Sequence, residues 1–547
     1  MMKKIVILFL ILISSSVSFT QKKQEKAISF LHTAGQNIVN ESGKKVFLKG
    51  VGLGNWLLPE GYMWKFGGLG DRPRKIEKIV ADLIGKEKAA SFWKTFRQNY
   101  ITEADIKRIA ELGFNSVRPA LNSRLFLSEG ENPVYVEEGF QLLDSLVTWC
   151  KKYNIYVIID MHGAPGGQTG ANIDDSPNDI PELFIEKKYQ DQLVDLWVKL
   201  AQKYKNEPVV AAYDLLNEPL PINTGSADKY KHLLEPLYKR ITAAIRNVDQ
   251  KHMITLEGFN WSNDWSLFTK PFDSNVFYQF HYYCWNRPDH LNGINEYLKK
   301  RDELNTPIWV GETGEKGNAI YWATTQLFES KNIGFSFWPW KKMDTQNTPY
   351  SINKPGKWDL VAEYSRGGAK PDAALAEKIF NDLLENIKIS NCKYFEDVCN
   401  AILTRVPAKI EAENYGHNGF NRSYFVSDTI SKSKFYRTSE PVKINLDSKE
   451  KDQFWSEQSI ELQQSEWVVY TFESLTTGKY NLSLRAAAVA EACRLTVIIN
   501  NKKINLEVGN NEFKEIAAGV HQLRKGKNTM KILVNAGAAK VDWIKCN

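Results

Sequence analysis

The chain has 547 residues, of which 43% are hydrophobic, 12% aromatic and 25% charged. That composition excludes a disordered or collagen-like polymer, and the length exceeds one ordinary domain. Lys and Arg outnumber Asp and Glu by 71 to 64, but the two signs are interspersed, so no clustered basic face points to a nucleic-acid partner.

Lys3 and Lys4 precede a short apolar run at 5–13 and small residues at 14–18. This is the pattern of a secretory signal peptide over residues 1–18, so a secreted or periplasmic protein is expected. The run is too short to cross a bilayer, and no other is long enough. No membrane partner is expected after signal removal, and the mature chain is expected to be a monomer. Six Cys in this length do not make a disulfide scaffold, and there is no C-x-x-C pair for structural zinc. Cys392 and Cys399 are close enough in sequence to staple a loop, Cys493 and Cys546 are a second candidate pair, and Cys150 falls on an amphipathic helix as a core residue.

From about residue 46, apolar strand-like runs alternate with helical patterns. Strands are expected at 46–52, 115–120, 156–162, 209–217, 253–257, 276–283, 307–312 and 334–338. Helices are expected at 102–112, 139–153, 187–205, 228–248, 294–305 and 319–331, with 371–387 starting on Pro371. Near-continuous apolar strands imply a parallel sheet covered on both faces. Eight of them, with no G-x-G-x-x-G after the first, favour an α/β fold of the (β/α)8 TIM-barrel type over an open doubly wound sheet. The barrel is assigned to 27–388, and residues 389–404 read as a linker. From 405 to 547 short alternating runs (467–472, 480–486, 494–499, 529–534) separated by turn residues read as an all-β sandwich or jelly roll.

In such a barrel the polar residues at the C-terminal strand ends carry function. Glu218 follows the fourth strand in Asp214-Leu215-Leu216-Asn217-Glu218-Pro219, and Glu312 ends the seventh in Trp309-Val310-Gly311-Glu312-Thr313-Gly314. Strands 4 and 7 lie nearly opposite, so both carboxyls can lean over one space. Two carboxyls flanking one bond are what glycoside hydrolysis requires. Helix capping by Glu218 and an ion pair at Glu312 would account for either residue alone, but less well for both. A metal-dependent hydrolase using His162 and His281 is the competing chemistry. It is disfavoured by only eight His, no H-x-H and no ligand on the first strand.

Over residues 30–388 the chain resembles glycoside hydrolase family 5. The resemblance is carried by Arg118 in Ser116-Val117-Arg118-Pro119, His162 in Asp160-Met161-His162-Gly163, Asn217-Glu218-Pro219, His281-Tyr282-Tyr283, Gly311-Glu312 and Phe337-Trp338-Pro339-Trp340, in that order. It implies a retaining β-glycosidase that needs no cofactor, with Glu218 as acid/base and Glu312 as nucleophile. Arg118 and Tyr283 would hold Glu312 ionised, and Asn217 would offer its amide to the sugar 2-hydroxyl. His162 and His281 would position these groups, and Trp338 would stack on a pyranose. The loop 163–175 is similar to that of the exo-β-1,3-glucanase branch, which points to a β-glucan-like polysaccharide or oligosaccharide; another β-glycan such as mannan stays open. The loop is either a sugar-contacting rim or an ordinary surface loop. Trp56, Tyr62 and Trp64 either form a second platform or pack beneath that rim. Cys284 lies beside the site without a His–Cys pattern for thiol catalysis.

The C-terminal segment resembles carbohydrate-binding module family 6 in Ile410-Glu411-Ala412-Glu413-Asn414-Tyr415, Ser465-Glu466-Trp467-Val468-Val469-Tyr470, Gly519-Val520-His521-Gln522-Leu523 and Val541-Asp542-Trp543-Ile544. The resemblance implies a structural calcium near Glu413 and Asp542, with Glu411 beside them; a strand-edge ion pair is the alternative. One stacking ring of that family's cleft is replaced by Glu461, and the other falls near Phe513. The remaining alternative for the whole chain is a non-catalytic carbohydrate-binding protein on a degenerate barrel.

Overall fold

The computed structural model describes residues 28–284, 288–431, 433, 436–446 and 458–547. The signal peptide expected at 1–18 lies outside the described residues. Eight parallel strands close into a barrel: β1 (Lys49–Leu53), β2 (Ser116–Asn122), β3 (Tyr156–Gly163), β4 (Val210–Asp214), β5 (Met253–Glu257), β6 (Val276–His281), β7 (Ile308–Gly314) and β8 (Gly334–Trp338). Each pairs with the next in sequence, and β8 pairs with β1. Every residue of β2 through β8 is buried, so the barrel faces both its own interior and the surrounding helices, as the unbroken apolar runs require. An antiparallel hairpin, Leu31–Ala34 with Asn37–Asn40, plugs the N-terminal mouth. Its Leu31 and Ile38 share a small core with Ile158, Ala212, Met253, Phe277 and Trp309. The site is thereby left to the opposite end.

The helix patterns at 102–112, 139–153, 187–205, 294–305 and 319–331 appear within two residues of their expected ends. Two expectations shift. The 228–248 pattern breaks into a short helix Ala227–Tyr230, a 3-10 turn and a main helix Leu234–Arg246. The last barrel helix starts at Ala373 rather than on Pro371, because the Asp372 side chain accepts from Leu375 N and caps it. The β1–β2 connection carries two helices that the sequence reading left out, Pro73–Ile84 and Lys86–Tyr100, separated at Gly85 (φ +84).

The connector after the barrel holds a helix, Glu396–Ile402, which packs on the barrel helix Asn318–Ser330. Two six-stranded sheets follow. One runs Arg405–Val406, Trp467–Ser474, Gly526–Ala536, Cys493–Ile499 and Lys502–Val508, with Tyr424–Phe425 paired to its second strand. The other runs Lys443–Leu446, Gln458–Leu462, Ala539–Cys546, Gly478–Ala488 and Lys514–Leu523, with Ala408–Glu411 on its third. Their shared core does not stop at the sandwich. It continues into Cys284, Leu291, Trp322 and Ala323 of the barrel.

Cys392, Cys399, Cys493 and Cys546 carry unbridged thiols, which overturns both disulfide candidates. Cys392 donates to backbone carbonyls of the preceding turn, including Asn386 O and Lys388 O at 3.4 Å, while Cys399 is buried on the connector helix. Proximity in sequence did not bring the sulfurs into bonding geometry.

Candidate active site

The C-terminal mouth opens into a cavity of about 750 Å3 lined by Glu60, Tyr62, His162, Glu218, Trp261, His281, Tyr283, Glu312, Glu315 and Trp338, among others. At its floor Arg118, fully buried on β2, distributes its guanidinium among acids from four other strands. Nε donates to Asp214 (2.8 Å), Nη1 to Glu312 Oε1 (2.7 Å), and Nη2 to Glu257 Oε1 (3.0 Å) and Asn217 Oδ1 (2.8 Å). Asp160 lies 3.2 Å from Nη2. A planar five-donor fork suits this arrangement; a lysine point charge would not.

That contact fixes Asn217. Its oxygen faces Arg118, so its amide NH2 faces His162 Nε2 at 3.2 Å. Burial pushes His162 down to about 4, which leaves a neutral ring. With Nε2 accepting, Nδ1–H donates to Asp160 at 2.8 Å. Asn217 itself is fully buried beneath the cavity.

Glu312 takes Arg118 on Oε1 and the Tyr283 hydroxyl on Oε2, both at 2.7 Å. Burial raises its pKa, against the downward pull of His281 and Arg118 and with the added repulsion of Glu218. Glu218 sits at φ +44, outside the ordinary backbone range for a non-glycine residue. Its amide donates to Glu257 Oε2 at 2.7 Å, and its side chain meets His281 Nδ1 at 2.6 Å. His281 lies 3.3 Å from Glu257 and 3.6 Å from Glu312. Although burial opposes it, these three carboxylates raise the imidazole well above its ordinary value, so it is a cation. Among the described residues, Glu218, His281 and Glu312 are the one His/Cys/Asp/Glu trio whose ligand-type atoms all fall within 4.8 Å of one another. His162, the other His of the metal alternative, is outside it.

Trp338 lies parallel to His162, with interplanar angle 3° and centroids 5.3 Å apart, and its Nε1 donates to Tyr62 OH at 3.1 Å. Gly52 and Gly54 make room for it: a Cβ on either would stand 2.3 or 2.5 Å from the indole. Trp56 and Trp64 are each 1% exposed in the core, so of the three aromatic candidates only Tyr62 reaches the cavity. The 163–175 loop is mainly a brace. Gln168 Nε2 donates to His162 O and Asn217 O, and of this loop only Ile173 lines the cavity.

Four site acids escaped the sequence reading. Asp160, Asp214 and Glu257 each stand at or near the end of an apolar strand, the same signal that singled out Glu312. Glu60 carried no such signal. It is buried after β1, with Oε1 lacking a hydrogen-bond partner, and burial with repulsion from Glu312 and Glu315 raises it well above the carboxylate range. Arg118 and His281 together face five carboxyls here, Asp160, Asp214, Glu218, Glu257 and Glu312. Accordingly, burial raises Asp160 to about 7 and lifts Asp214 well above its ordinary value, while His281 and Arg118 hold Glu257 below its ordinary value.

Residues 81–344 match the family model for Cellulase (glycosyl hydrolase family 5). That span runs from before β2 to past β8, so most of the barrel is similar to family 5. A β-xylosidase of Phanerodontia chrysosporium is 34% identical over 241 residues, 44% of this chain and 48% of its own length. This chain thus spans about half of that relative. Endoglucanase C of Acetivibrio thermocellus is 28% identical over 313 residues, 46% of this chain and 88% of its own. A probable glucan 1,3-β-glucosidase A of Aspergillus fumigatus is 28% identical over 277 residues, 48% of this chain and 64% of its own. Both proposed catalytic carboxyls and all six sequence-selected substrate residues fall within the family 5 match.

In the sandwich, Glu411 pairs with Lys409 at 2.9 Å and Asp542 with Arg485. Glu411 Oε2 and Glu413 Oε2 are buried without hydrogen-bond partners among the described residues. Burial, with repulsion among these acids and Asp542, raises Glu411 to about 7 and lifts Glu413 well above its ordinary value. Glu461 is taken by Lys443 at 2.7 Å, and Phe513 stacks under Arg485, so neither offers an open platform.

Proposed function

We propose that this chain is an exported retaining β-glycosidase that hydrolyses β-glucosidic linkages of a β-glucan-like polysaccharide. The observation that carries the reading is that a carboxylate oxygen of Glu218 lies within 4.8 Å of one of Glu312 in the lining of one cavity. Retaining enzymes hold their carboxyls about 5–5.5 Å apart, whereas an inverting pair needs room for water at roughly 6.5–9.5 Å. In the first step a Glu312 oxygen bonds to the anomeric carbon as the glycosidic C–O bond breaks, and Glu218 gives its proton to the departing oxygen. In the second, Glu218 takes a proton from water, the water oxygen bonds to the anomeric carbon, and the bond to Glu312 breaks. Arg118 and Tyr283 aim the nucleophile. By the family resemblance Asn217 offers its amide toward the sugar 2-hydroxyl, and His281 lies between the two acids. The endoglucanase and glucan 1,3-β-glucosidase relatives support a β-glucan as substrate.

The sandwich is read as a carbohydrate-binding-type module with a calcium held by Glu411, Glu413 and Asp542. The orphaned carboxylate oxygens and their mutual repulsion suit a hard dication, which would remove that penalty. Calcium is expected to raise the melting temperature and a chelator to lower it; no response to either would refute the site.

The test of the main reading is hydrolysis of a β-glucan panel by the purified protein, with the first-formed anomer read by NMR. The β-anomer should appear first, and Glu218→Ala and Glu312→Ala should each abolish turnover of the polysaccharide. Undiminished activity in either variant, or initial release of the α-anomer, would overturn the assignment.

A further inference from the structure

Glu257, the last residue of β5, is fully buried beneath the cavity, yet it touches the acid/base from two directions. Its Oε2 accepts the backbone N–H of Glu218 at 2.7 Å. Its Oε1 accepts from Arg118 Nη2 at 3.0 Å and stands 3.3 Å from His281 Nε2. Burial alone would push such a carboxyl toward its neutral form, but His281, Arg118 and the Glu218 amide together hold it below its ordinary value, so it is a carboxylate. Tyr238 OH, from the helix Leu234–Arg246, donates to its backbone carbonyl at 2.9 Å and pins the strand end.

The backbone that Glu257 holds is strained. Glu218 at φ +44 and Leu220 at φ +51 both lie in the left-handed region, which non-glycine residues keep only where the surroundings over-determine it. Asn217 N donates to Met161 O, Leu220 N to Gln168 O and Asn260 N to Leu220 O, at 3.1, 3.2 and 3.1 Å. Those bonds brace the neighbours, while the amide of Glu218 itself is taken by Glu257. The Glu218 side chain is held by the same acid at one remove. His281 Nδ1 meets Glu218 Oε1 at 2.6 Å, and the opposite ring nitrogen faces Glu257. Gly311 on β7 makes space for this ring, since a Cβ there would stand 2.9 Å from Nε2.

We propose that Glu257 is the positioning residue of the acid/base: it fixes the Glu218 backbone through the amide and secures the His281 cation beside the carboxyl that must give up a proton. The proposal rests on the glycosidase reading above. As Glu218 passes its proton to the departing oxygen, negative charge develops on its carboxyl. A fixed cation 2.6 Å away is worth more in that state than before it. A buried imidazolium in turn needs a counter-charge of its own. Of the three carboxylates that raise His281, Glu257 raises it most. It is also the one whose charge stays constant through turnover: Glu312 is neutral while bonded to the sugar, and Glu218 alternates between acid and carboxylate. The other titratable or charged groups around this pair are Arg118 on β2, Asp160 and His162 on β3, Asp214 on β4, and Tyr238; a change at Glu257 leaves all of them in place.

The experiment compares Glu257→Gln and Glu257→Asp with the unaltered protein on two substrates: a β-linked glucose oligosaccharide, whose leaving group needs a proton, and 2,4-dinitrophenyl β-glucoside, whose leaving group does not. General acid assistance contributes about 100- to 10,000-fold, so for Glu257→Gln kcat/KM on the oligosaccharide should fall at least about tenfold more than on the aryl glucoside. The alkaline limb of the oligosaccharide profile should also move to lower pH, by about half a unit or more, because an amide no longer holds His281 charged. Glu257→Asp keeps the charge, so its limb should stay nearer that of the unaltered protein. Equal losses on the two substrates, or a limb that does not move in Glu257→Gln, would mean that Glu257 only supports the fold and would overturn the proposal. If Glu257→Gln does not fold, Glu257→Asp, one methylene shorter, decides alone: a larger loss on the oligosaccharide than on the aryl glucoside supports the proposal, and equal losses overturn it. If the unaltered protein cleaves neither substrate, the β-glucosidase reading fails first and takes this proposal with it; activity in the unaltered protein separates the two failures.

Discussion

Replacing Arg118 by Met would remove the cation that Asp160, Asp214, Glu257 and Glu312 share. Methionine fills much of the volume, so the change is chiefly electrostatic. Stripping one partner from a buried ion pair costs about 3–5 kcal/mol, because the remaining charge stays desolvated. The acids can escape that cost by taking up protons, and this sets the pH dependence. Arg118 pulls the folded pKa of Glu257 and Glu312 downward, so its loss moves both upward. A carboxyl whose folded pKa is raised must bind a proton on folding, at about 1.4 kcal/mol for each pH unit above its unfolded value. Between pH 7 and pH 5 the deficit should therefore shrink by roughly 2.7 kcal/mol for each carboxyl that stays protonated in the folded variant. Urea unfolding of both proteins at pH 5, 6 and 7 measures it. A deficit that is the same at all three, or below about 1 kcal/mol at pH 7, would show that Arg118 does not hold these acids ionised.

Tyr283→Phe removes the 2.7 Å hydrogen bond to Glu312 Oε2; a bond to a charged group is worth about 1.5–3 kcal/mol, so kcat/KM should fall roughly 10–100-fold with the fold intact by circular dichroism. His281 is raised in the folded state, so its stabilising contribution is full below the unfolded pKa of about 6.5 and fades as pH rises through the folded value. The stability lost in His281→Gln should therefore be larger at pH 6 than at pH 9, and the reverse order would contradict an imidazolium. Thiol titration in denaturant without reductant should count six reactive sulfurs per chain; four or fewer would mean that a disulfide forms after all.

Much of this architecture was legible because the barrel repeats one simple signal. Apolar runs such as 156–163 and 276–281 are buried on both faces, so they cannot alternate, and the polar residue that ends each one is conspicuous. Glu218 and Glu312 were visible for that reason, as Asp160, Asp214 and Glu257 should have been. Arg118 was selected as one partner of Glu312, but no sequence pattern shows that one guanidinium is divided among four strand ends. Glu60 was illegible in a different way: it lies seven residues past the end of β1, where its amide donates to Asn55 Oδ1 at 3.2 Å, a loop contact that no periodicity announces. Trp56, Tyr62 and Trp64 look alike in sequence, and only the packing of Trp64 against Phe96 and Trp358 separates core from cavity. The free Cys392 and Cys399 make the same point, since spacing says how far apart two sulfurs can be and not which way they face.

The apolar interior that runs from the sandwich through Trp322 and Ala323 to Leu291 and Cys284 has a practical meaning for anyone cutting this chain. Cys284 directly follows Tyr283, whose hydroxyl holds Glu312. A shortened version ending near residue 404 would leave greasy side chains wet on the flank of the helix Asn318–Ser330 and loosen the footing of that tyrosine. The two lobes are better regarded as one body with a common seam than as an enzyme carrying a detachable passenger.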